Sequence, residues 1–490
     1  MLQGTSSSVG KSLLATAFCR IFARKGLRVA PFKAQNMALN SRVTPAGEEI
    51  GCAQAVQAIA ARRLPEVEMN PILLKPEGNC RSQVVLMGRP WKTLSAGEYY
   101  SCRDELWRHV ASSFGKLSAE NDLVVVEGAG SPAEINLKAG EIVNMRVALA
   151  FGCPVLLVGD IDRGGVFASF AGTLALLDDA ERWAVKGFIV NKFRGDRSLL
   201  EPGLEMLSDL ADGRPVLGVI PWLDNHGLPQ EDSVFLDETG SERRPGTTDI
   251  AVIRFPRISN YDDFDPLAAE EGVSLRFVER PEDFGRPAAA ILPGTKTTLK
   301  DLVWLRDRGF DGLLSALLLS GGSIAGICGG YQMLGRRLLD RASIEGGSEE
   351  ASGLGLLPGD TVFDPTKATV RVGGTLLPEA DFANGESLRV EGYEIHMGRT
   401  TLPEGSHPLI RFDDGRIDGA VSCGGRVWGT YLHGIFDNDG FRTAWLRSIG
   451  WRGEERNVSR ADLCEAAFER LADAVEAATD MRLLEAIVGL

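Results

Sequence analysis

Short apolar runs alternate with longer stretches of helical length along the first half of the chain. Each run is bounded by Gly, Pro, Asn or Asp, and the runs lie at residues 123–126, 155–158, 187–190 and 216–220. Runs of this length are typical of parallel strands that are covered on both faces. Residues 12–24 and 53–63 have the length and pattern of helices between such strands. The alternation predicts βαβ units and a doubly wound α/β fold.

The pattern changes at two places further along. The polar segment 237–248 predicts a linker, and a fresh strand begins at Asp249. Alternation of strands and helices resumes there, with central strands expected at 288–292 and 323–327. From residue 451 the chain is charged, and its apolar residues are near helical spacing. We therefore predict one unit at 1–236, a second at 249–450, and a C-terminal helical extension at 451–490 whose role is packing.

Composition and charge limit the classes of function that this chain can have. The 490 residues are 44% hydrophobic and 24% charged, which is ordinary for globular proteins and sufficient for more than one core. The net charge of −14 disfavours nucleic acid and anionic membrane as partners. No apolar run approaches the roughly 20 residues of a membrane span. The eight cysteines form no CxxC pair, so neither a zinc ribbon nor a dithiol redox site is indicated. Scattered cysteines in an acidic, enzyme-like chain predict a reducing cytoplasm. The sequence leaves the oligomeric state unknown.

Residues 4–12 form a glycine-rich loop that runs into a helix. Successive backbone N–H groups in such a loop bind phosphate, so the predicted ATP-binding residues are Gly4, Thr5, Gly10, Lys11 and Ser12. Lys11 would reach the β- and γ-phosphates, and Ser12 would help to hold Mg²⁺. The first glycine stands one position earlier than in the standard P-loop, and the alternative is a Ser/Gly-rich turn that caps a helix. Because the lead strand is very short, we also expect residues to be missing at the N-terminus.

Polar side chains follow three of the predicted parallel strands. Ligands gather at the carboxyl ends of such strands, so Glu127 is a candidate Mg²⁺ ligand, with helix capping as its alternative. Asp160 or Asp162 would be another ligand on the metal or phosphate side. Asn191 is a candidate contact for the adenine edge of ATP.

Cys328 lies between a predicted strand and a predicted helix, in the order Gly-Ile-Cys-Gly-Gly. Small neighbours of this kind permit the strained turn of a nucleophile elbow, and helix N-terminal potential lowers a thiol pKa. The N–H groups of Gly329 and Gly294 are the expected oxyanion-hole donors. The alternative is a buried structural cysteine.

A thiol nucleophile needs a base, and the chain has five histidines. His433, just after an apolar strand-like stretch, is the predicted base for Cys328 and later protonates the leaving ammonia. His396 is the second candidate, although packing or substrate positioning explains it equally well. We expect no catalytic role for His109, His226 or His407.

The second half resembles class I glutamine amidotransferases through LPGTK (292–296), GICGGYQMLG (326–335) and GTYLHGIF (429–436). In most of that family a Glu two residues after the histidine completes a triad, whereas this chain has Ile435 there. The departure is similar to a subgroup without that Glu that acts on corrinoid precursors. Glu394 is a candidate for orienting His433 in its place.

The first half resembles dethiobiotin-synthetase-like P-loop enzymes, which activate carboxylates as carboxyl phosphates. Further segments are similar to the cobyric acid synthase family, among them PFKAQNMALNS (31–41), EGAGSPAEINL (127–137) and DIDRGGVFAS (160–169). This resemblance implies two doubly wound domains: an N-terminal dethiobiotin-synthetase-like P-loop domain and a C-terminal flavodoxin-like glutamine amidotransferase domain with a helical tail.

The resemblance also implies a reaction. It is the amidation of the b, d, e and g carboxylates of adenosylcobyrinic acid a,c-diamide, with ATP, Mg²⁺ and glutamine and with no bound prosthetic group, since cobalt arrives in the substrate. Gln35, Asn36, Asn40 and Ser41 are candidate corrinoid contacts, although Asn-rich loops also make ordinary turns. The alternatives are the sister enzyme that amidates the a and c carboxylates, and an ATPase or carboxylase with a degenerate second domain.

Overall fold

The computed structural model describes residues 1–78, 80–223, 227–229, 246–345, 349–378, 380, 382, 387–454 and 459–490. His226 and most of the predicted linker at 237–248 lie outside the described residues. The predicted boundaries between the units therefore stay predictions. Within the described ranges, no helix combines the length and the apolar character needed to cross a membrane.

A parallel sheet forms the centre of the first unit. Strand β1 pairs with β10, which is followed by β11 and β12, while β2 pairs with β9 and a bridge from Leu2 to Glu127 joins the two sets. All four strands predicted from apolar runs lie in this sheet. The strands of this unit are β1 Leu2–Gly4, β2 Val29–Phe32, β3 Gln35–Met37, β4 Ser41–Val43, β5 Glu49–Gly51, β6 Ile72–Gly78, β7 Arg81–Leu86, β8 Arg89–Ser95, β9 Leu123–Val126, β10 Val155–Asp160, β11 Val185–Phe193 and β12 Val216–Pro221.

Helices cover both faces of this sheet, as parallel strands require. The helices of this unit are α1 Lys11–Arg24, α2 Cys52–Ala60, α3 Ala96–Ser101, α4 Arg103–Glu120, α5 Met145–Ala150, α6 Val166–Leu176, α7 Asp179–Ala184 and α8 Arg197–Leu210. Two additions were not predicted from the sequence. Strands β3, β6, β7 and β8 form a second small sheet, and β4 and β5 form a hairpin that leads directly into α2.

The second unit has a six-stranded sheet in the order β14-β13-β15-β16-β24-β23, parallel except for β23. Its strands are β13 Thr248–Ile253, β14 Val273–Val278, β15 Ala289–Leu292, β16 Ser323–Ile327, β23 Ala420–Ser422 and β24 Val427–Thr430. Its helices are α9 Asp265–Ala268, α10 Thr298–Asp307, α11 Phe310–Leu319, α12 Gly329–Leu334 and α13 Asp439–Ser448. The predicted strands at 249, 288–292 and 323–327 are all present.

The predicted alternation of strands and helices does not continue between α12 and β23, where a largely antiparallel sheet is inserted. Its strands are β17 Arg337–Leu339, β18 Glu350–Ser352, β19 Asp360–Leu376, β20 Arg389–Thr401, β21 Ile410–Phe412 and β22 Ile417–Asp418. The two long strands β19 and β20 pair from Asp360–Thr401 to Thr375–Arg389. Six of the 17 residues of β19 are exposed.

The C-terminal helices α14 Arg460–Ala477 and α15 Met481–Val488 return to the first unit. Phe468, Leu471 and Val475 are buried in one apolar core with residues of α1. Arg20 of α1 is fully buried and forms an ion pair with Glu465 at 2.8 Å. The helical extension therefore completes the core of the N-terminal unit, although the chain reaches it from the end of the second unit.

Candidate functional site

The glycine-rich loop follows β1 and wraps the start of α1. Gly10 has φ +96°, and a Cβ there would lie 2.1 Å from the side-chain nitrogen of Asn191, so only glycine fits this turn. The Nζ of Lys11 donates to the carbonyl oxygens of Ser6 at 3.0 Å and Gly130 at 3.2 Å. The lysine is thus folded over the concave side of the loop, where a phosphate would take the place of these carbonyl contacts.

Glu127, at the end of β9, accepts three hydrogen bonds at 2.7 Å, from Ser12 Oγ, Lys33 Nζ and Gln57 Nε2. Burial works to raise the pKa of Glu127, but the charge of Lys33 and these hydrogen bonds outweigh it and hold the pKa below the usual value. The carboxylate is therefore ionised. The structure brings the predicted pair Ser12 and Glu127 together and adds Lys33 and Gln57, which sequence reasoning missed.

The donor set at this point fits a hard cation. Ser12 and Glu127 offer a hydroxyl and a carboxylate oxygen, which are ligand types that Mg²⁺ prefers. Gln57 Oε1 is buried and has no hydrogen-bond partner among the described residues, so it is a further oxygen acceptor beside Glu127.

Asn191 contacts the other flank of the loop directly, and Asp160 is joined to it through Lys192. Asp160 accepts from Lys192 Nζ at 2.8 Å, and the same ammonium donates to the carbonyl oxygen of Ser8 at 2.9 Å. Asp162 forms a 3.3 Å ion pair with Arg194. Asn191 donates to the carbonyl oxygen of Val9 at 2.7 Å. Its amide nitrogen thus holds the phosphate loop, and the adenine contact expected of Asn191 stays a prediction.

Cys328 follows β16 and caps α12 with φ 51° and ψ −108°. This conformation costs a non-glycine residue about 1–3 kcal/mol and is found at nucleophile elbows. The turn has no room for larger neighbours, since a Cβ on Gly330 would lie 1.9 Å from the carbonyl oxygen of Leu292. The sulfur lies 3.7 Å from the carbonyl oxygen of Ile395 and is almost completely buried.

His433 is buried beyond the end of β24, and its Nδ1 donates to Oδ2 of Asp263 at 2.6 Å. Asp263 also accepts from the amide of Gly434 at 3.0 Å. Burial works to lower the pKa of His433, but Asp263 and Cys328 raise it to about 10. The raised pKa favours the protonated imidazole, which lies beside the thiol of Cys328.

Asp263 is the orienting carboxylate that sequence reasoning missed. It lies in the short 3-10 helix Tyr261–Phe264, 170 positions before His433, and no local spacing connects the two. The suggestion that Glu394 orients His433 is wrong. Glu394 accepts from Arg416 at 2.7 Å and faces His396 at 3.5 Å. The only sequence feature that could have indicated this carboxylate is the acidic pair Asp262-Asp263, which follows a predicted strand.

His396, the second candidate base, has a different environment. Its ring stacks on Tyr431 with centroids 3.7 Å apart, and its Nδ1 lies 2.6 Å from the carbonyl oxygen of Gly398. These contacts indicate packing of the strand. His407 is exposed, and His109 lies on α4 of the first unit.

The two predicted oxyanion glycines lie beside the thiol and the imidazole. Gly329 opens α12 directly after Cys328, and a Cβ on Gly294 would be 3.2 Å from Cε1 of His433. The loop that contains Gly294 is held against the elbow by a 3.1 Å hydrogen bond from Gly330 N to the carbonyl oxygen of Pro293. Their donation to a substrate oxygen remains a prediction.

The candidate corrinoid contacts are mostly enclosed. Gln35 accepts from the hydroxyl of Tyr99 and is partly exposed, while Asn36 donates to Gln54 at 3.1 Å and is buried. Asn40 and Ser41 are 1% and 0% exposed and bond to the second unit. In this conformation neither Asn40 nor Ser41 is open to a large ligand, which differs from the contact predicted for them.

Comparisons with known proteins cover nearly the whole chain. Residues 1–232 match the family model described as "CobQ/CobB/MinD/ParA nucleotide binding domain", and residues 249–441 match "CobB/CobQ-like glutamine amidotransferase domain". The chain is 52% identical to a "Cobyric acid synthase" of Roseiflexus castenholzii, covering 98% of this chain and 96% of that protein. It is 51% identical to a protein of the same name from Sorangium cellulosum, covering 100% and 98%. Among solved structures, PurLQS of Thermotoga maritima matches 46% of this chain and 98% of its own, with a TM-score of 0.31 and 17% identity.

Proposed function

The chain belongs to the cobyric acid synthase family, and from that premise we propose the reaction that its two sites carry out. The protein is an ATP- and glutamine-dependent amide ligase of cobalamin biosynthesis. The proposed substrate is adenosylcobyrinic acid a,c-diamide, and the b, d, e and g carboxylates become amides to give adenosylcobyric acid. Each amide consumes one ATP and one glutamine and releases ADP, phosphate and glutamate.

The observation that carries this proposal is the presence in one chain of a thiol–imidazole–carboxylate site and a phosphate loop with an ionised carboxylate. Cys328, His433 and Asp263 form the first, and Lys11 and Glu127 belong to the second. A thiol site alone would account for glutamine hydrolysis. The phosphate site adds the means to activate a carboxylate, and the two together support amide formation.

In the proposed glutaminase half, the thiolate of Cys328 attacks the side-chain amide carbon of glutamine. The amide N–H groups of Gly329 and Gly294 bind the oxyanion that forms. The imidazolium of His433 then protonates the leaving nitrogen, the C–N bond breaks, and ammonia leaves a thioester on Cys328. Neutral His433 accepts a proton from water, which cleaves the thioester to glutamate and regenerates the thiolate–imidazolium pair. Asp263 holds the ring orientation and stabilises its charge throughout.

In the proposed synthetase half, a substrate carboxylate oxygen attacks the γ-phosphorus of ATP and ADP leaves. This phosphorylation is needed because ammonia cannot displace oxide from a free carboxylate, whereas phosphate is a good leaving group. Lys11 and the loop amides neutralise the charge on the phosphoryl group as it is transferred. Ser12 and Glu127 would hold Mg²⁺, which supplies charge neutralisation on the phosphate oxygens when bound. We keep Asp160 as a candidate in the same role, acting from the opposite flank of the loop. Ammonia then attacks the acyl phosphate, and phosphate leaves.

Ammonia is mostly ammonium at neutral pH and does not attack in that form. Release inside the protein keeps it neutral if water is excluded on the way to the acyl phosphate. Buried contacts between the two units, such as Asn40 with Asn260, support such exclusion. We place the reaction in the cytoplasm, because it consumes ATP and needs a reduced cysteine.

The test is incubation of the purified protein with ATP, Mg²⁺, glutamine and adenosylcobyrinic acid a,c-diamide, followed by mass spectrometry. We expect stepwise losses of about 1 Da for each carboxylate converted. The Cys328→Ala variant should lose this activity with glutamine and keep it with ammonia. Reaction of un-amidated cobyrinate instead of the a,c-diamide would assign the chain to the enzyme that amidates the a and c carboxylates.

A further inference from the structure

Strand β4 belongs to the first unit but packs against the glutaminase site of the second. Val43 is buried in a small apolar cluster whose other members are Tyr393 and Ile395. Both partners lie on β20, beside the thiol site. Ile395 is the residue whose carbonyl oxygen lies 3.7 Å from the sulfur of Cys328.

Asn40, just before β4, is joined to Asn260 of the second unit. The amide N–H of Asn260 donates to Oδ1 of Asn40 at 2.8 Å, and the amide N–H of Ser41 donates to Oδ1 of Asn260 at 3.0 Å. Asn260 is in the left-handed conformation, with φ 51°, and begins the short helix that contains Asp263. Its Nδ2 lies 3.4 Å from Nδ1 of His433. This pair of hydrogen bonds therefore holds the first residue of the turn that presents Asp263 to the imidazole.

Arg42 contacts two further supports of the same imidazole. Its guanidinium donates to Oδ2 of Asp262 and to the hydroxyl of Tyr393. Asp262 is the neighbour of Asp263, and the ring of Tyr393 stacks on His433 with centroids 5.3 Å apart and an angle of 15° between the planes. Asp262 is buried in its own unit, so Arg42 supplies the positive charge that such a carboxylate needs.

We propose that Asn40 and Arg42, residues of the nucleotide-binding unit, are positioning residues of the glutaminase and act through Asn260, Asp262 and Tyr393 on His433. Glutamine hydrolysis is then fully efficient only when this segment of the first unit is seated on the second. The inference rests on the proposed function and assigns part of the glutaminase to the unit that holds the phosphate site.

The same segment has a direct path to the phosphate site. The hairpin of β4 and β5 continues into α2 without a break, and Cys52 at its start lies with its sulfur 3.5 Å from Oδ2 of Asp262. Gln57, on the same helix, donates to Glu127 at 2.7 Å. One helix therefore contacts Asp262 of the second unit through its first residue and the proposed magnesium ligand through Gln57.

The experiment uses the full chain with Arg42→Met and Arg42→Lys, and with Arg28→Met as the matched control. Arg28 is an exposed arginine of the first unit whose ion pair is with Asp122. Three quantities are measured for each protein: glutamine-dependent amidation, ammonia-dependent amidation, and the pH profile of Cys328 alkylation by an electrophilic glutamine analogue, followed on the modified peptide. Asn40→Ala is the second variant, which tests the other contact if Arg42→Met does not fold.

For Arg42→Met we expect kcat of the glutamine-dependent reaction to fall by about 10²-fold, since misplacement of a catalytic group by 1 Å has an effect of this order. KM for glutamine should change little, and the pH profile of alkylation should shift because His433 is no longer held in place. Ammonia-dependent amidation should stay within about twofold of the wild type, and Arg42→Lys should recover part of the loss. Arg28→Met should match the wild type in every measurement.

Two outcomes would overturn the inference. One is an unchanged glutamine-dependent rate in Arg42→Met and Asn40→Ala. The other is an equal fall of the glutamine- and ammonia-dependent rates, which would make the contacts structural supports of the first unit. A wild-type protein that releases no glutamate from glutamine would instead contradict the proposed function itself.

Discussion

Nδ1 of His433 lies 2.6 Å from a carboxylate oxygen of Asp263, and both side chains are buried. The carboxylate takes the place of the Glu that most class I glutamine amidotransferases have two residues after the histidine, where this chain has Ile435. The site is therefore a three-residue arrangement whose acid comes from a different loop.

Replacing Asp263 with Asn should remove the orienting charge and leave the volume unchanged. We expect glutamine-dependent amidation to fall by about 10²-fold or more. Without the carboxylate, the imidazole ring is no longer oriented and its protonated form is no longer stabilised. Ammonia-dependent amidation should be unaffected, since it does not pass through Cys328. Glutamate release and amide formation measured side by side provide the check. Retention of the wild-type glutaminase rate would remove Asp263 from the mechanism.

The raised pKa of His433 predicts where the rate of glutamine hydrolysis falls at high pH. Its pKa is about 10, against an ordinary value of 6.5, so the proton needed by leaving ammonia is present below about 10 and is lost as the pH rises through that value. In Asp263→Asn, burial is no longer offset by the carboxylate, so this fall in rate should move to lower pH. Rates of glutamate release between pH 6 and pH 10.5 would show this shift, and identical profiles would contradict it.

Gly10→Ala should abolish ATP-dependent amidation with either nitrogen source. The new Cβ would meet Asn191 at 2.1 Å and would require an L residue at φ +96°, so the phosphate loop would have to move. Gly26→Ala is the matched control, because Gly26 also has positive φ (+85°) but has open space around it. That variant should lose only about 1–2 kcal/mol of stability and no ATP affinity. Nucleotide binding by calorimetry distinguishes the two, and equal affinities would contradict the assigned loop.

Lys33→Met should weaken the metal and nucleotide site without touching the glutaminase. It would leave Glu127 buried without its cation, so the pKa of that carboxyl would rise. Both glutamine- and ammonia-dependent amidation should then fall by a similar factor, with a larger requirement for Mg²⁺. Titration of the rate with Mg²⁺ is the measurement. A selective loss of the glutamine-dependent rate would assign Lys33 to another function.

Phe468→Ala should destabilise the first unit, although residue 468 comes after the second unit in the chain. Phe468 is 3% exposed in the core of α1, and truncation of a buried aromatic costs about 3–5 kcal/mol. We expect a lower unfolding temperature, with ammonia-dependent amidation lost at a lower temperature than in the wild type. An unchanged unfolding temperature would contradict this placement.

Local patterns in the sequence predicted much of the fold and the central residues of both chemical sites. The apolar runs at 123–126 and 323–327 identify parallel strands because such runs suit only positions covered on both faces. The loop at 4–12 and the elbow at Cys328 are strand–turn–helix segments, and their function is contained in a few consecutive residues. For the same reason the sequence established the two α/β units and the family.

Tertiary structure alone decided which side chains complete these sites. In the two sites, Lys33 and Glu127 are 94 positions apart and Asp263 and His433 are 170 apart; in the core of the first unit, Arg20 and Glu465 are 445 apart. No spacing or periodicity relates such pairs, because each contact depends on how distant segments pack together in the folded chain. Tertiary structure also determined that Asn40 and Ser41, two polar residues of a loop, are buried against the second unit. The chemistry of each site is thus local in the chain, while its charge balance and orientation come from the packing of remote segments.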